Sequence, residues 1–297
     1  MKNALLYYYN LSIDTIHQNE NKYYFNVNNK SYFLIECYNI EEINEIYKLN
    51  KYLSEISSVY KIVLNKNNTE ITNINNKNYI LIELNNKKKQ INLSDIIELN
   101  NIYIPYNKSK LRRDNWYELW TNKVDYLEYQ ISQTGKKYPI IRDSFNYYIG
   151  LAETAIAIVK NTKLDNIMLG LCHRRIKMTA FDLYNPLNII IDFRMRDICE
   201  YFKYCFFQNI DIYKELNEFL RYNKLSIEES RLFFARMLFP TYYFDLYEKI
   251  INENLDESEI KKIIFKVNKY EEILQYIYFY FKNNNLSIEW LEKINQY

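Results

Sequence analysis

Apolar positions recur with two different periods along this chain, and the change of period divides it. Ala4–Tyr9, Tyr23–Val27 and Tyr32–Cys37 are short runs rich in Tyr, Phe, Leu, Ile and Val, separated by turn signals such as Asn28-Asn29-Lys30. Such runs predict strands. The period then lengthens. Ile43, Ile46, Tyr47, Leu49, Leu53 and Ile56 recur mostly at spacings of three and four, which predicts an amphipathic helix over Glu41–Ser57. Strand-like runs return at Val59–Asn65 and Tyr79–Leu84. The order β-β-β-α-β-β predicts a five-stranded antiparallel sheet with one helix against it. A short helix over Ser94–Leu99 follows, with Ser94 as its N-cap.

From Asp114 onward the pattern is helical. Trp116, Leu119, Trp120, Leu127 and Ile131 mark one helix face. Phe145–Val159 is apolar over most of its circumference, which predicts a deeply buried helix. Ile167–Cys172 and Asn188–Ile191 have strand character and bracket the polar stretch His173–Asn185. Asp197 is placed to cap a helix with the stripe Ile198, Tyr201, Phe202, Cys205 and Phe206, and Ser226 and Ser287 to cap two of the helices that fill Ile212–Trp290. The expected fold class is α+β: a small antiparallel β lobe with one helix over residues 1–86, then a large helical lobe over 87–297. A helical lobe carrying a strand, a polar loop and a second strand ending in Asp resembles the two-lobed plan of protein kinases and small-molecule kinases. In that plan the nucleotide lies between the lobes, and the chemistry lies on the polar loop and the strand-end Asp.

Composition narrows the partners. Gly (3) and Pro (4) are too scarce for a flexible linker between independent domains. The 39 basic and 37 acidic residues nearly cancel, leaving a net charge of +2 that gives no push toward nucleic acid. The run Lys87-Lys88-Lys89 reads as a solvated loop. The 32 tyrosines predict many rings that are buried while their hydroxyls stay wet. Cys37, Cys172, Cys199 and Cys205 have no CxxC spacing and no Cys/His cluster, so the reading is reduced thiols in a cytoplasmic protein with no metal site. The N-terminus lacks a signal-peptide cleavage pattern, and no apolar run reaches the length of a membrane span.

The candidate chemistry lies on the polar loop. In kinase-like enzymes of the aminoglycoside and choline type, the loop reads His-x-Asp with an Asn five residues after the Asp, and a later Asp-Phe motif helps to hold magnesium. Here the loop reads Leu171-Cys172-His173-Arg174-Arg175, and the later motif reads Ile190-Ile191-Asp192-Phe193-Arg194. The Asp position holds Arg175, whose guanidinium stays charged and cannot act as a base. The Asn position holds Ala180. In the third strand Glu36 stands where a phosphate-pairing Lys is expected, and Gly135, Gly150 and Gly170 all lie too late for a glycine-rich phosphate loop. A degenerate centre remains as the candidate ligand site: His173, Arg174, Arg175, Asp192, Arg194 and Arg196. His173 either ties the loop to backbone or acts in catalysis. Arg194, Arg196, Asp197 and Glu200 either form a structural ion-pair network, with Arg196 and Glu200 at i,i+4, or the four arginines gather a phosphate or carboxylate. Arg175, or failing that Arg174, is expected to pair with Asp192 in the metal's place. Trp116, Trp120 and Trp290 are read as core anchors, and His17 as a loop residue.

Four stretches resemble the spore-coat kinase-like proteins of the CotS/YutH type. They are Leu111-Arg112-Arg113-Asp114-Asn115-Trp116, Phe145-Asn146-Tyr147-Tyr148-Ile149-Gly150-Leu151-Ala152-Glu153, the His173 and Asp192 segments through Glu200, and Ala235-Arg236-Met237-Leu238-Phe239-Pro240 with the residues through Asp245. The resemblance covers roughly 111–291. It implies a kinase-like fold, an endospore-forming source and a place in or near the spore coat. The function expected is a non-catalytic, pseudokinase-like coat or binding protein. It is made in the mother-cell cytoplasm without a cofactor and partners other coat proteins, with a nucleotide or phosphate as a further candidate ligand. The alternative is a divergent phosphotransferase acting on a small molecule or a coat protein.

Overall fold

The computed structural model describes residues 1–19, 22–85, 90–104, 109–165, 167–284 and 286–293. The lysine run at 87–89 lies outside them. The backbone gathers into two compact units: Met1–Arg112 with Gly170–Asp192, and Arg113–Leu169 with Phe193–Tyr297.

The first unit is built on a six-stranded sheet. Its strands are β1 (His17–Asn19), β2 (Lys22–Val27), β3 (Lys30–Glu36), β4 (Lys61–Val63), β5 (Thr72–Ile74) and β6 (Lys77–Leu84). They run in the order β1-β2-β3-β6-β4 with β5 also on β6, every pairing antiparallel. Two hairpins are closed by Asn pairs: Asn28-Asn29 between β2 and β3, and Asn75-Asn76 between β5 and β6, all four with positive φ. Two-residue hairpins demand that backbone, and Asn tolerates it best after Gly. Nine described non-glycine residues have positive φ, and all but Met178 are Asn, so Asn does the turning in a chain with so little Gly.

Ala4–Tyr9 is not a strand. It lies in helix α1 (Lys2–Tyr9), which ends at Asn10 in the left-handed conformation. Leu5 is fully buried with Phe25, Tyr32, Leu34, Tyr79 and Leu81, and Met1, Ala4, Tyr8 and Tyr9 pack around it. Positions 1, 4, 5, 8 and 9 form one helical face; the aromatic composition of the run hid that spacing. The sheet therefore has six strands rather than five, because β1 and β5 are too short and polar to show in the pattern. His17 stands on β1, not in a loop. Helix α2 (Ile43–Ile56) is close to its expected bounds, and its buried Asn50 ties it to the sheet edge: Nδ2 donates to the Tyr60 carbonyl at 2.6 Å, and Oδ1 accepts from the Ile62 amide at 2.8 Å. Helix α3 (Leu93–Asn100) is capped by Asn92 in a reciprocal box with Asp95, not by Ser94.

In the second unit, α4 (Trp116–Thr134) buries Trp116, Trp120, Val124 and Leu127, while Leu119 is 40% exposed. Helix α5 (Pro139–Lys160) is amphipathic rather than buried all round: a Cβ on Gly150 would meet nothing within 4 Å. The central helix is α9 (Ile227–Leu238), buried at every position from Leu232 to Leu238 and opened by Ser226 in a capping box with Glu229, as expected. Helix α7 (Met195–Phe207) begins three residues earlier than a cap at Asp197 would set, so Asp197 lies inside its first turn with Arg194 at the N-cap position. Ile198, Phe202 and Cys205 are buried, and Tyr201 is half-buried. Helices α8 (Tyr213–Tyr222), α10 (Thr241–Glu253), α11 (Lys261–Ile264) and α12 (Val267–Tyr280) follow. The last helix, α13, opens at Glu289, two residues beyond Ser287. Among the described residues no helix is long and apolar enough to cross a membrane, and the four cysteines are free thiols.

Leu5 is the one buried side chain of α1, so Leu5→Ala should cost about 2–5 kcal/mol, the range for a fully buried leucine. Urea unfolding followed by tyrosine fluorescence measures it; a cost under about 0.5 kcal/mol, that of a surface change, would mean that α1 is not packed there.

Candidate functional site

Two short strands, β7 (Leu169–His173) and β8 (Ile189–Phe193), form a separate pair. Within the first unit, Ile190, Ile191 and Asp192 are buried with no more than 2% exposure. Leu111 runs beside them: the Ile191 amide donates to its carbonyl at 3.0 Å. The Cys172 thiol contacts the Asp192 carbonyl at 3.9 Å. The strand pair thus holds Asp192 at its end with no exposed surface, as an apolar strand flanked by packed segments requires.

The polar loop between these strands is fixed by Asn188. The Arg174 amide donates to the Asn188 carbonyl at 2.9 Å, and the Arg175 amide donates to its Oδ1 at 3.2 Å. In return Asn188 Nδ2 donates to the carbonyls of Arg175 and Asp182, at 2.5 and 3.0 Å. The Arg174 guanidinium pairs with Glu42 at the start of α2, where both side chains are largely covered. Arg175 is exposed. His173 is 1% exposed, and its Nε2 donates to the Leu183 carbonyl at 2.7 Å, so it ties the loop to backbone. Among the described residues no group of three or more His, Cys, Asp or Glu side chains could hold a metal ion.

Ala180 opens a short helix, α6 (Ala180–Tyr184), and is 1% exposed. Thr179 caps it, accepting from the Asp182 amide at 3.1 Å. The aromatic residues of α6 meet the sheet. Phe181 lies 4.5 Å from Phe33 and 6.3 Å from Tyr60, ring centre to ring centre, and Tyr184 lies 5.9 Å from Tyr60. Tyr24 lies 5.2 Å from Phe33, and the Lys22 ammonium sits 4.6 Å from the Phe181 ring centre. The Tyr60 amide donates to the Tyr184 carbonyl at 2.8 Å. Burial pushes the hydroxyls of both Tyr60 and Tyr184 up to about 12, so both remain protonated donors.

Glu36 departs from its expected place. Side chains alternate along a strand, so Glu36 shares the face of Tyr32 and Leu34, which is the α1 core, and pairs with Lys77 at 3.0 Å. Phe33 and Ile35 point to the opposite face, the one that meets α6.

The other candidate residues belong to the second unit. Arg194 pairs with Glu229 at 2.9 Å, Arg196 is half-buried, and Asp197 is fully buried. Glu200, read from the sequence as a member of an ion-pair network with Arg194, Arg196 and Asp197, centres a polar cluster whose members Lys203, Arg236 and Thr241 were not foreseen. Glu200 accepts from Lys203 Nζ at 2.9 Å, Arg236 Nε at 2.8 Å and Thr241 Oγ1 at 2.9 Å. Lys203 also donates to the Phe239 carbonyl at 2.9 Å. The Arg236 guanidinium lies over Trp116 and Trp120, at 5.3 and 5.7 Å. Burial pushes the Glu200 carboxyl up, but Lys203 and Arg236 outweigh it and hold the pKa down at about 2. Burial lowers the Lys203 ammonium, against the pull of Glu200. The available signal was the i,i+3 spacing of Glu200 and Lys203 on a predicted helix, together with an arginine inside the apolar run Phe233–Phe239.

Because its folded pKa is depressed, Glu200 contributes stability that is complete above about pH 4.3 and is lost as pH falls toward 2. An acid titration of thermal stability should show a loss on the order of 3 kcal/mol across that window from this group. Glu200→Gln should be destabilised at neutral pH and show a flatter acid limb; an acid limb identical to that of the unaltered protein would contradict the cluster.

Compared with known proteins, residues 2–277 match the family model described as "Spore coat putative kinase YutH". The endospore coat-associated protein YutH of Bacillus subtilis (strain 168) is 27% identical over 196 residues, which span 57% of this chain and 58% of that protein, under two thirds of its length. Among solved structures, an aminoglycoside phosphotransferase from Alicyclobacillus acidocaldarius superposes with a TM-score of 0.68 at 12% identity, covering 95% of this chain and 96% of that one. Spectinomycin phosphotransferase APH(9)-Ia, in complex with ADP and spectinomycin, gives 0.60 at 14% identity over 91% and 92%. Amicoumacin kinase hAmiN gives 0.57 at 13% identity over 92% and 91%. At these identities the likeness shows the fold: an α+β, kinase-like arrangement with an antiparallel sheet and a large helical part.

Proposed function

This chain belongs to the spore coat YutH family, and from that premise we propose that it is a non-catalytic, kinase-like protein that works in or on the spore coat. The observation that carries the reading is the chemistry of the polar loop. Arg175 offers a permanent cation where a base is needed, and Ala180 offers a buried methyl where a metal ligand is needed. The side chains at hand do not fit a magnesium–nucleotide. No lysine stands on the Phe33 face of β3, Glu36 faces the α1 core, and Arg174 is engaged with Glu42. His173, Arg174, Arg175 and Asp192 form the degenerate centre in this reading, and Arg194 and Arg196 follow it in sequence. The coat-associated relative in B. subtilis supports other coat proteins as partners. The same relative supports a place in or on the coat, and synthesis in the mother-cell cytoplasm before assembly is part of the proposal.

One observation favours a divergent phosphotransferase instead: the strand-end carboxylate, Asp192, is retained and fully buried. The two readings separate on labelled ATP. The proposed function expects no magnesium-dependent transfer to itself, to water or to coat extracts. Transfer that disappears in Asp192→Ala would establish the enzyme. A thermal shift with ATP distinguishes a nucleotide-binding pseudokinase, which shifts without magnesium, from a scaffold, which does not shift.

The exposure of Arg175 sets its energetic role. A solvent-facing guanidinium contributes under about 1 kcal/mol through any ion pair, so Arg175→Ala should move the unfolding midpoint very little. A loss of about 3–5 kcal/mol, the range for breaking a buried pair, would show that the charge is needed beside Asp192.

A further inference from the structure

We propose that α6 is a built-in plug: its Phe181 ring fills the Phe33 face of the sheet and closes that face to purine nucleotides. Three observations converge. The first is placement. Phe33 and Tyr24 are register partners across β2 and β3, and they make an aromatic platform on the face opposite the α1 core. Phe181 lies on that platform, 4.5 Å from Phe33, a separation typical of packed rings. The Lys22 ammonium covers the Phe181 ring at 4.6 Å. A second planar ring cannot occupy the same position.

The second observation is how the plug is held. Thr179, which caps α6, bridges to Gln90. The last two carbonyls of the helix are both used: His173 Nε2 donates to Leu183, and the Tyr60 amide donates to Tyr184. A five-residue helix has too few internal hydrogen bonds to stand alone, so these outside contacts fix its position. The third is the entry. Met178 has φ 57°, the left-handed region that a side chain with a Cβ adopts at a cost. The chain accepts that strain two residues before α6, at the bend that leads into it.

The proposal shares the kinase-like plan with the reading above but is independent of its chemistry. In that reading the side chains at positions 175 and 180 bear on transfer, whereas the Phe181 ring bears on access. The test is fluorescence titration of the full chain with N-methylanthraniloyl-ADP, in EDTA and in magnesium, for the unaltered protein, Phe181→Ala and Phe181→Leu. The leucine variant keeps apolar contact without the ring and guards against loss of folding in the alanine variant. Hydrogen exchange at the Tyr60 amide reports whether α6 has loosened. The expected result is weak or absent binding by the unaltered protein, about tenfold or more tighter binding by a folded variant, and faster Tyr60 exchange in Phe181→Ala. Equal binding by all three proteins overturns the plug, as does the absence of any gain in a folded variant. Labelled phosphate transfer on the same samples reports separately: a variant that binds without transfer leaves the non-catalytic reading standing, and one that binds and transfers keeps the plug but ends that reading.

Discussion

The helical unit depends on one buried charge cluster. Glu200 receives Lys203, Arg236 and Thr241 at once, and those residues come from α7, α9 and the start of α10. The guanidinium of Arg236 lies over the two stacked tryptophans of α4, so four helices meet around one carboxylate. Lysine and arginine are rarely buried without a partner, and here their side chains are only 2% and 5% exposed. Desolvating them would be unfavourable alone. The cluster offsets it by satisfying Lys203 three ways: a carboxylate, a carbonyl and a hydroxyl. Such a network commonly contributes no more to net stability than well-packed apolar residues of the same volume. What it supplies is register: sliding α7 or α9 by one residue would leave a charge buried without its partner.

The first unit is fixed differently, by the alternation of β3. Tyr32, Leu34 and Glu36 face α1, and Phe33 and Ile35 face α6. A one-residue slip would exchange both faces, putting Glu36 on the face that meets α6 and Phe33 on the face of the α1 core. The hairpin turn at Asn28-Asn29 sets that register: its two positive-φ residues form a two-residue loop that pairs Val27 with Lys30. An ordinary asparagine pair thus decides which side chains reach the polar loop.

Legibility in the sequence followed these forces. The sheet strands with clear alternation, helix α2 and the Ser226 cap were readable because each rests on local spacing. The α1 helix was misread because tyrosine and leucine suit strands by composition while their spacing was helical, and the tertiary contact through Leu5 decided it. The strands β1 and β5 were invisible because they are short and polar and exist only through pairing with a neighbour. At the site, the departures from the kinase-like pattern at Arg175 and Ala180 could be read residue by residue. The position of Glu36 could not, since its face depends on where the strand begins its alternation. The Glu200 cluster and α6 were hidden because both are made by contacts distant in sequence, Glu200 to Arg236 and Phe33 to Phe181.

The residues that depart from the kinase-like pattern also suit the packing around them. A metal-binding asparagine at position 180 would lie at 1% exposure with polar groups to satisfy, and without a metal each would carry a desolvation cost. Alanine makes no such demand and is the best helix former, which suits it to the first position of α6. Once α6 forms, Phe181 and Tyr184 gain apolar partners on the sheet, and His173 gains the Leu183 carbonyl. Arg175, facing solvent, adds no buried charge. Each residue that departs from an active pattern is therefore compatible with, or favours, the packing around it. Asn188, through its hydrogen bonds to the polar loop, and the buried Ile190 and Ile191 bind the β7–β8 pair into its surroundings.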